Sequence, residues 1–493
     1  LRARLLLQQQ YANILLKKLS STIKGNFMDI KKPLAVTLLG IFMAINGVPC
    51  FAIGNTDNEK VDKKYEYRNK NGRQVEAEYK YEYVNIDWWK SFNDGYLQDY
   101  IIKAIQHNHD LKMASIAVDE YYQYTKIQFA NELPTVGGGF SPALVKNPAQ
   151  TDWNWSFLTP VLVNYEADIF LKNHDKTKSS KKDYEASLQD ERAAYIAVVS
   201  AVGTTYFNIV KLDEMIKLQE QIVDLRKDIY DLTKLCNEEG TASMSDTVKA
   251  NKAYVYGKSE LPELKKNRTK LLHQLAVLTG ENPNDAEDLP RAALSEITFP
   301  ENIPNEISSE IIVNRPDYIR AEKMLEKAGI DIRVAKKEFL PTINLSGLVA
   351  FNSSSLGSMF TTKSALAALA GAAVLPIFTG GKRLANLRLK RSTYDRILED
   401  YLKVNQTAIQ EINDSLVSLK QDKKKLSQNE EHQTLEMKDF SYSKDKFHQG
   451  VISRKDLIQV QENLLTVDKL VTSGRADCLI DCIGVYKAVS AKI

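Results

Sequence analysis

The stretch Phe339-Leu340-Pro341-Thr342-Ile343-Asn344-Leu345-Ser346-Gly347-Leu348-Val349-Ala350-Phe351 decides the fold class. Ile343, Leu345, Val349 and Phe351 fall on one side and Thr342, Asn344 and Ser346 on the other, the period of two that a strand requires. Its opening motif occurs twice, since Leu133-Pro134-Thr135-Val136 stands 207 residues before Leu340-Pro341-Thr342-Ile343. Asn108-His109-Asp110 and Arg315-Pro316-Asp317 share that offset. Ile169-Phe170 recurs as Ile377-Phe378, and Gly240 with Ser245-Asp246 recurs as Gly450 with Lys455-Asp456. Four markers in one order at nearly constant offset make the chain two copies of one unit of roughly 200 residues. The first copy is expected at 87–280 and the second at 309–493, joined by a Pro- and Asn-containing linker at 281–308.

Each copy reads as helix, two extended segments, very long helix, turn, helix. Between His174 and Glu239 there is no proline and one glycine, Gly203; between Lys382 and Gln449 there is neither. Rods of more than about 60 residues, or about 90–100 Å, need partners along their length. Met215, Leu218, Ile222, Leu225, Ile229, Leu232 and Cys236 alternate spacings of three and four, a coiled-coil seam. The matching part of the second rod, Lys423 to Glu431, reads as a solvated charged face. Among the extended segments, Trp153, Trp155 and Phe157 alternate with Asn154 and Ser156. Aromatic residues on one face suit the interfacial girdle of a membrane barrel, and a half-buried strand of a soluble sheet shows the same alternation. Ala365 to Leu375 is a weaker strand signal and by itself also reads as a helix.

The amino end carries an address. Met28-Asp29-Ile30-Lys31-Lys32, an apolar stretch from Pro33 to Val48 and Pro49-Cys50-Phe51-Ala52 form a secretory signal peptide over 28–52. Residues 1–27 then read as a translated start placed too early, and 53–86 as an amino-terminal extended segment. Cys50 raises the alternative of lipidation, against which Pro49 stands where a small residue is wanted; cleavage after Ala52 is the plainer account. Beyond the signal no run reaches the roughly 18 apolar residues of a membrane-spanning helix. An exported chain of this kind is soluble, surface-associated or part of a β-barrel.

Composition narrows the chemistry. With 66 basic against 63 acidic side chains in 493 residues, the net charge of +3 gives no nucleic-acid footprint. Four cysteines and six histidines show no zinc or disulfide spacing. Cys478 and Cys482 read as small packing residues rather than ligands, and Gly371 to Gly381 lacks the ending of a phosphate loop, so neither metal nor cofactor is expected. No nucleophile elbow or paired-carboxylate motif stands out, and the chain is not read as an enzyme.

Two strands per copy make four per chain, too few for a transmembrane barrel when the smallest have about eight. Lipid forbids open sheet edges. If the strands span a membrane, several chains must share one barrel, and three would give twelve strands.

Asp87-Trp88-Trp89-Lys90-Ser91-Phe92-Asn93-Asp94, followed by Leu97, Ile101, Ala104 and Asn108-His109-Asp110-Leu111, resembles the opening of the TolC-like outer-membrane efflux proteins, especially their NodT-type branch. Asn314-Arg315-Pro316-Asp317, Phe339-Leu340-Pro341-Thr342, Leu375-Pro376-Ile377-Phe378 with Gly380-Gly381-Lys382-Arg383, and the turn from Gly450 to Asp456 match the same family in order. The resemblance implies an α+β membrane protein: a homotrimer sharing a twelve-stranded barrel in the outer membrane and a long α-helical barrel in the periplasm. It implies an export channel acting with a periplasmic adaptor and an inner-membrane transporter, embedded in outer-membrane lipid. It also implies opening at the periplasmic end, where paired helices untwist. A coiled-coil scaffold or adhesin without a pore is the alternative, which explains the rods but not the strands at matched positions.

Candidate working residues lie at the two helix turns. Gly240 and Gly450 suit the helix-ending position where φ is positive, and Ser245 and Lys455 stand beyond them at the tips where an adaptor would touch. Asp456 matches the position where the family often places an acid at the constriction. Three such carboxylates would make a cation-selective ring. The plainer alternative is that Asp246 and Asp456 are first-turn acids that stabilise helix N-termini. Gln459 stands where a second acid is common, which makes a less negative gate.

Overall fold

The computed structural model describes residues 88–146, 152–300, 303, 307 and 309–490. The expected signal peptide at 28–52 with Cys50, and the segment from Lys60 to Tyr83, lie outside the described residues. The chain divides into two compact units. One comprises Lys80–Gly138, Val161–Leu348 and Ala368–Ile493; the smaller includes Gly139–Pro160 and Val349–Ala367.

Among the described residues the α-helices are all in the larger unit: α1 Gly95–His107, α2 His109–Ala130, α3 Lys172–Glu238, α4 Met244–Thr279, α5 Pro316–Lys337, α6 Lys382–His448 and α7 Arg454–Val489. Their lengths come in pairs. α3 and α6 have 67 residues each, α4 and α7 have 36, and α2 and α5 have 22. At 1.5 Å per residue the 67-residue rods are about 100 Å long, and α3 is flanked along its length by α2, α4, α5 and α7. Its heptad stripe does the packing: Leu218 and Ile222 meet Leu465, and Ile229 meets Ala250 and Ile458. The stripe stops short of the turn, where Cys236 is exposed. Lys423, Lys424 and Lys425 on α6 face solvent, as their charge requires.

The main core gathers around the middle of α3. Trp89, Phe92, Leu97, Ile101, Tyr206, Phe207, Leu272, Leu275, Leu479 and Ile483 are fully buried there. One apolar window of α3 is long enough to cross a membrane, but 67% of it is buried inside the protein, so it serves as a core helix. The expected linker contributes to this core through buried Leu294 and Ile297. Asp94 ties the amino end down: its carboxylate accepts the N–H of Tyr96 at 2.9 Å to cap α1 and the hydroxyl of buried Tyr206 at 2.6 Å. Gly203, the one glycine in either rod, marks the closest approach. A Cβ there would lie 2.7 Å from Ile483 Cδ1 and 3.1 Å from the Trp88 ring. Cys478 and Cys482 are buried on the facing side of α7, and burial pushes both thiols up to about 12.

The strands are β1 Thr135–Gly138, β2 Ser141–Lys146, β3 Trp153–Ala167, β4 Thr342–Ser353 and β5 Ala365–Val374, in the order β1-β3-β4-β5 with β2 also on β3. Five segments replace the four expected, because β1 and β2 share one strand position. Thr135 pairs with Asn164 in the larger unit and Ser141 with Leu158 in the smaller, both antiparallel. The interruption falls opposite Pro160, which has no N–H to donate; its carbonyl accepts from Gly139 at 3.0 Å. In the smaller unit Phe140, Phe157 and Trp155 stack in a column, with ring centroids 6.3 and 5.7 Å apart. The segment that also read as a helix is the strand β5, whose Leu369 is 86% exposed.

Gly203→Val is expected to destabilise the core by about 1–3 kcal/mol through overpacking against Ile483 and Trp88, seen as a lower midpoint of helix melting in detergent. A second expectation concerns Asp481 of α7, whose Oδ2 is buried without a hydrogen-bond partner. Burial, then Asp422 and Asp477, push its carboxyl up to about 7. An acid with a raised folded pKa stabilises the fold below its ordinary value, and that support is lost as pH rises through the folded one. Thermal stability should therefore fall between about pH 4 and pH 7, and Asp481→Asn should flatten that fall.

Candidate pore tip and helix turns

Two helical hairpins, α3–α4 and α6–α7, end in turns of the same construction. Gly240 and Gly450 both have φ +74°. Only a residue without Cβ takes this conformation freely. The Thr241 N–H bonds the Cys236 carbonyl at 2.8 Å and the Val451 N–H bonds the Lys446 carbonyl at 2.9 Å. Gly240 and Gly450 close the inner bonds to Asn237 and Phe447, both at 3.0 Å. These are Schellman endings, which satisfy carbonyls that the helix leaves open. Ser243 and Ser453 then start the next helices as N-caps.

The acids sit three residues after the caps. Asp456 completes a capping box: its backbone N–H donates to Ser453 Oγ at 3.1 Å, and its Oδ2 accepts the Ser453 N–H at 3.1 Å and hydroxyl at 2.7 Å. Asp246 accepts the Ser243 hydroxyl at 2.7 Å and lies 3.6 Å from the Lys249 ammonium. The serine hydroxyls hold both carboxyls below the usual carboxylate range. Both are therefore anionic at neutral pH. Among the described residues Asp456 has no ion-pair partner, whereas Asp246 has Lys249. The structure thus brings each acid to its own serine and separates the two by their charge environment. Asp456, Lys455, Gln459 and Ser245 are exposed. The capping role is realised at both turns.

A second set of residues, with no motif to announce it, joins the two hairpins above the turns. Arg226 on α3 pairs with Glu462 on α7, Nε to Oε1 at 2.8 Å, and donates to the Ala253 carbonyl of α4 at 3.3 Å. Two turns away Gln219 donates to the Gly257 carbonyl at 2.9 Å and accepts from Lys469 of α7 at 2.8 Å. Gly257 makes room for this, since a Cβ there would stand 3.0 Å from Arg226 Nη1 and 3.2 Å from its Cδ. The one sequence signal was a glycine within a helical run.

The sequence profile of outer membrane efflux proteins matches residues 100–281 and 307–490. The chain belongs to that family. Its relatives include the probable efflux pump outer membrane protein TtgC of Pseudomonas putida, 26% identical over 409 residues, covering 82% of this chain and 84% of the relative. The cation efflux system protein CusC of Escherichia coli K12 is 25% identical over 340 residues, 68% of this chain and 73% of CusC. Among solved structures, the Campylobacter jejuni CmeC outer membrane channel superposes with TM-score 0.75 at 24% identity, covering 86% of this chain and 91% of its own. As an outer membrane efflux protein, the chain falls in a family of channels and not of enzymes.

Gly450→Ala is expected to cost about 1–2 kcal/mol by forcing a Cβ into the left-handed region. Amides from Phe447 to Asp456 should then exchange faster by mass spectrometry, with the core amides around Tyr206 unchanged.

Proposed function

We propose that this chain is the outer-membrane channel of a tripartite efflux or secretion system, carrying substrate from the periplasm or an inner-membrane transporter to the exterior. The observation that carries this reading is the sheet itself. It has four strand positions and two open edges, β1 with β2 on one side and β5 on the other. Lipid tolerates no open edge, so a family member in the outer membrane must close the sheet with further copies. Three copies supply twelve strands, within the range of known barrels. The sequence alternation of β4 and the exposed Leu369 of β5, which lies beside Gly347 on the face of Ile343 and Leu345, fit a wall with lipid on one face. The matched helices in 87–280 and 309–493 support reading them as two copies of one unit, so three chains give a pseudo-sixfold periplasmic tube.

In this account the turns at Gly240 and Gly450, with Ser245 and Lys455, meet the periplasmic adaptor, and Asp456 and Gln459 face the axis. Asp456 is the better candidate for the ring because among the described residues no cation forms an ion pair with it, Lys455 acting only at longer range, whereas Lys249 stands 3.6 Å from Asp246. The Arg226–Glu462 pair ties one hairpin to the other, so separation of the hairpins must break it. Substrate passes by diffusion, and the energy comes from the inner-membrane partner.

Asp456→Ala should lower cation preference, read as the reversal potential in a salt gradient, while outer-membrane fractionation stays unchanged. Unaltered selectivity removes the ring assignment. Glu462→Gln should shift the open-to-closed ratio roughly 5- to 30-fold toward open, the weight of about 1–2 kcal/mol, measured as dwell times in single-channel records.

A further inference from the structure

Three of the four junctions between strands and helices share a pattern that the channel reading does not use. Ile169 and Leu171 follow β3, Phe339 precedes β4, and Ile377 and Phe378 follow β5, all exposed on the larger unit. Ile377 is 93% and Phe378 88% exposed. Large apolar side chains this bare, at three of the four places where strands and helices meet, form a collar.

Cross-links set the helix ends at one level. Lys337 at the end of α5 donates to the Leu171 carbonyl before α3 at 2.9 Å, and Asn386 in α6 donates to Glu338 after α5 at 3.0 Å. His174 of α3 stands 3.3 Å from Glu132, which follows α2.

Behind the collar comes an excess of positive charge. From Glu166 to Glu185 and from Glu326 to Arg391 every carboxylate is engaged. Glu166 holds Lys172, Asp168 caps α3, Asp175 holds Lys337, Asp183 holds Lys327, and Glu185 and Glu326 share Lys182. Asp331 holds Lys390 and Glu338 holds Asn386. Lys178, Lys181, Lys336, Lys382, Arg388 and Arg391 are exposed and have no carboxylate partner among the described residues. The first ten residues of α6, Lys382 to Arg391, hold five cations and no acid. The acids here hold half-buried lysines, and Asp175 also reaches exposed Arg333, which leaves these six exposed cations unmatched.

We infer that this collar and its cations form a seat for anionic phospholipid headgroups of the periplasmic leaflet. Apolar knuckles enter the acyl boundary while lysine and arginine, on flexible stems, meet phosphate at headgroup level. Lys382 to Arg388 spans about 9 Å of helix, about one Debye length at physiological ionic strength, so these charges feel the surface potential of the leaflet. The seat would fix the depth of the barrel and hold the long helices normal to the membrane. This inference rests on the outer-membrane channel reading.

The test uses the full mature protein, extracted in detergent and reconstituted with equal phosphatidylglycerol and phosphatidylcholine, with retained lipid counted by native mass spectrometry. Wild type should retain phosphatidylglycerol preferentially. The variant Lys382→Gln/Arg388→Gln/Arg391→Gln should lose that preference about tenfold or more. The charge-keeping variant Lys382→Arg/Arg388→Lys/Arg391→Lys should keep it, which separates lost charge from lost folding. Conductance in planar bilayers is recorded on each preparation. Wild type that conducts yet holds the two lipids equally overturns the seat alone, leaving the collar to a second copy of the chain. A glutamine variant with unchanged lipid and altered ion selectivity also overturns it, by placing the cations on the tunnel wall. Protein released by osmotic shock, with no conductance and no retained lipid, overturns the channel reading together with the seat.

Discussion

A strand edge in hydrocarbon cannot leave its N–H and C=O groups without partners, and this constraint governs the molecule. Among the described residues the chain supplies four strand positions, with β5 and the β1–β2 pair at the edges. In the proposed assembly, copies of the chain close that sheet. The exposed Leu369 of β5 would there face lipid. The rods, which no single chain could hold in a tube, would form the walls of one if copies stand side by side as proposed.

Within one chain the forces are divided along the rods. At the middle of α3 apolar burial dominates: aromatic residues from the Trp88–Phe92 turn and from α7 close around Gly203, where one added methyl would collide with Ile483. Toward the turns the stripe thins to pairs such as Ile229 with Ile458, and polar links take over. Arg226 with Glu462 and Gln219 with Lys469 join the hairpins by bonds with defined partners. A rod packed by apolar contacts at its middle and held by a few polar links near its tip suits the proposed opening at the tip. The turns stay intact in such movement, because Gly450 and the Ser453–Asp456 box satisfy their own backbone groups locally.

Much of this was legible in the residues. Periodicity and missing prolines announced rods over 174–239 and 382–449, and the helices run from Lys172 to Glu238 and from Lys382 to His448. Turn chemistry was equally local, so Gly240, Gly450 and both capping acids stand where their spacing put them. Other features depended on neighbours. Alanine-rich β5 has helical propensity, and only pairing with β4 makes it a strand. Pro262 should break a helix, yet α4 runs through it. The halving of one strand into β1 and β2 depends on a proline across the sheet. The Arg226 link left only Gly257 as a trace because its three members come from different helices, and the charge excess behind the junctions emerges only after each half-buried lysine is matched to its carboxylate.

The most direct test of shared-barrel closure is the oligomeric mass of the purified, detergent-extracted mature protein, determined on the sample whose single-channel conductance is recorded in planar bilayers. The account predicts a mass of three chains and discrete conductance steps. A monomer that leaves the bilayer silent, also when the turn is loosened by Gly450→Ala, would contradict it.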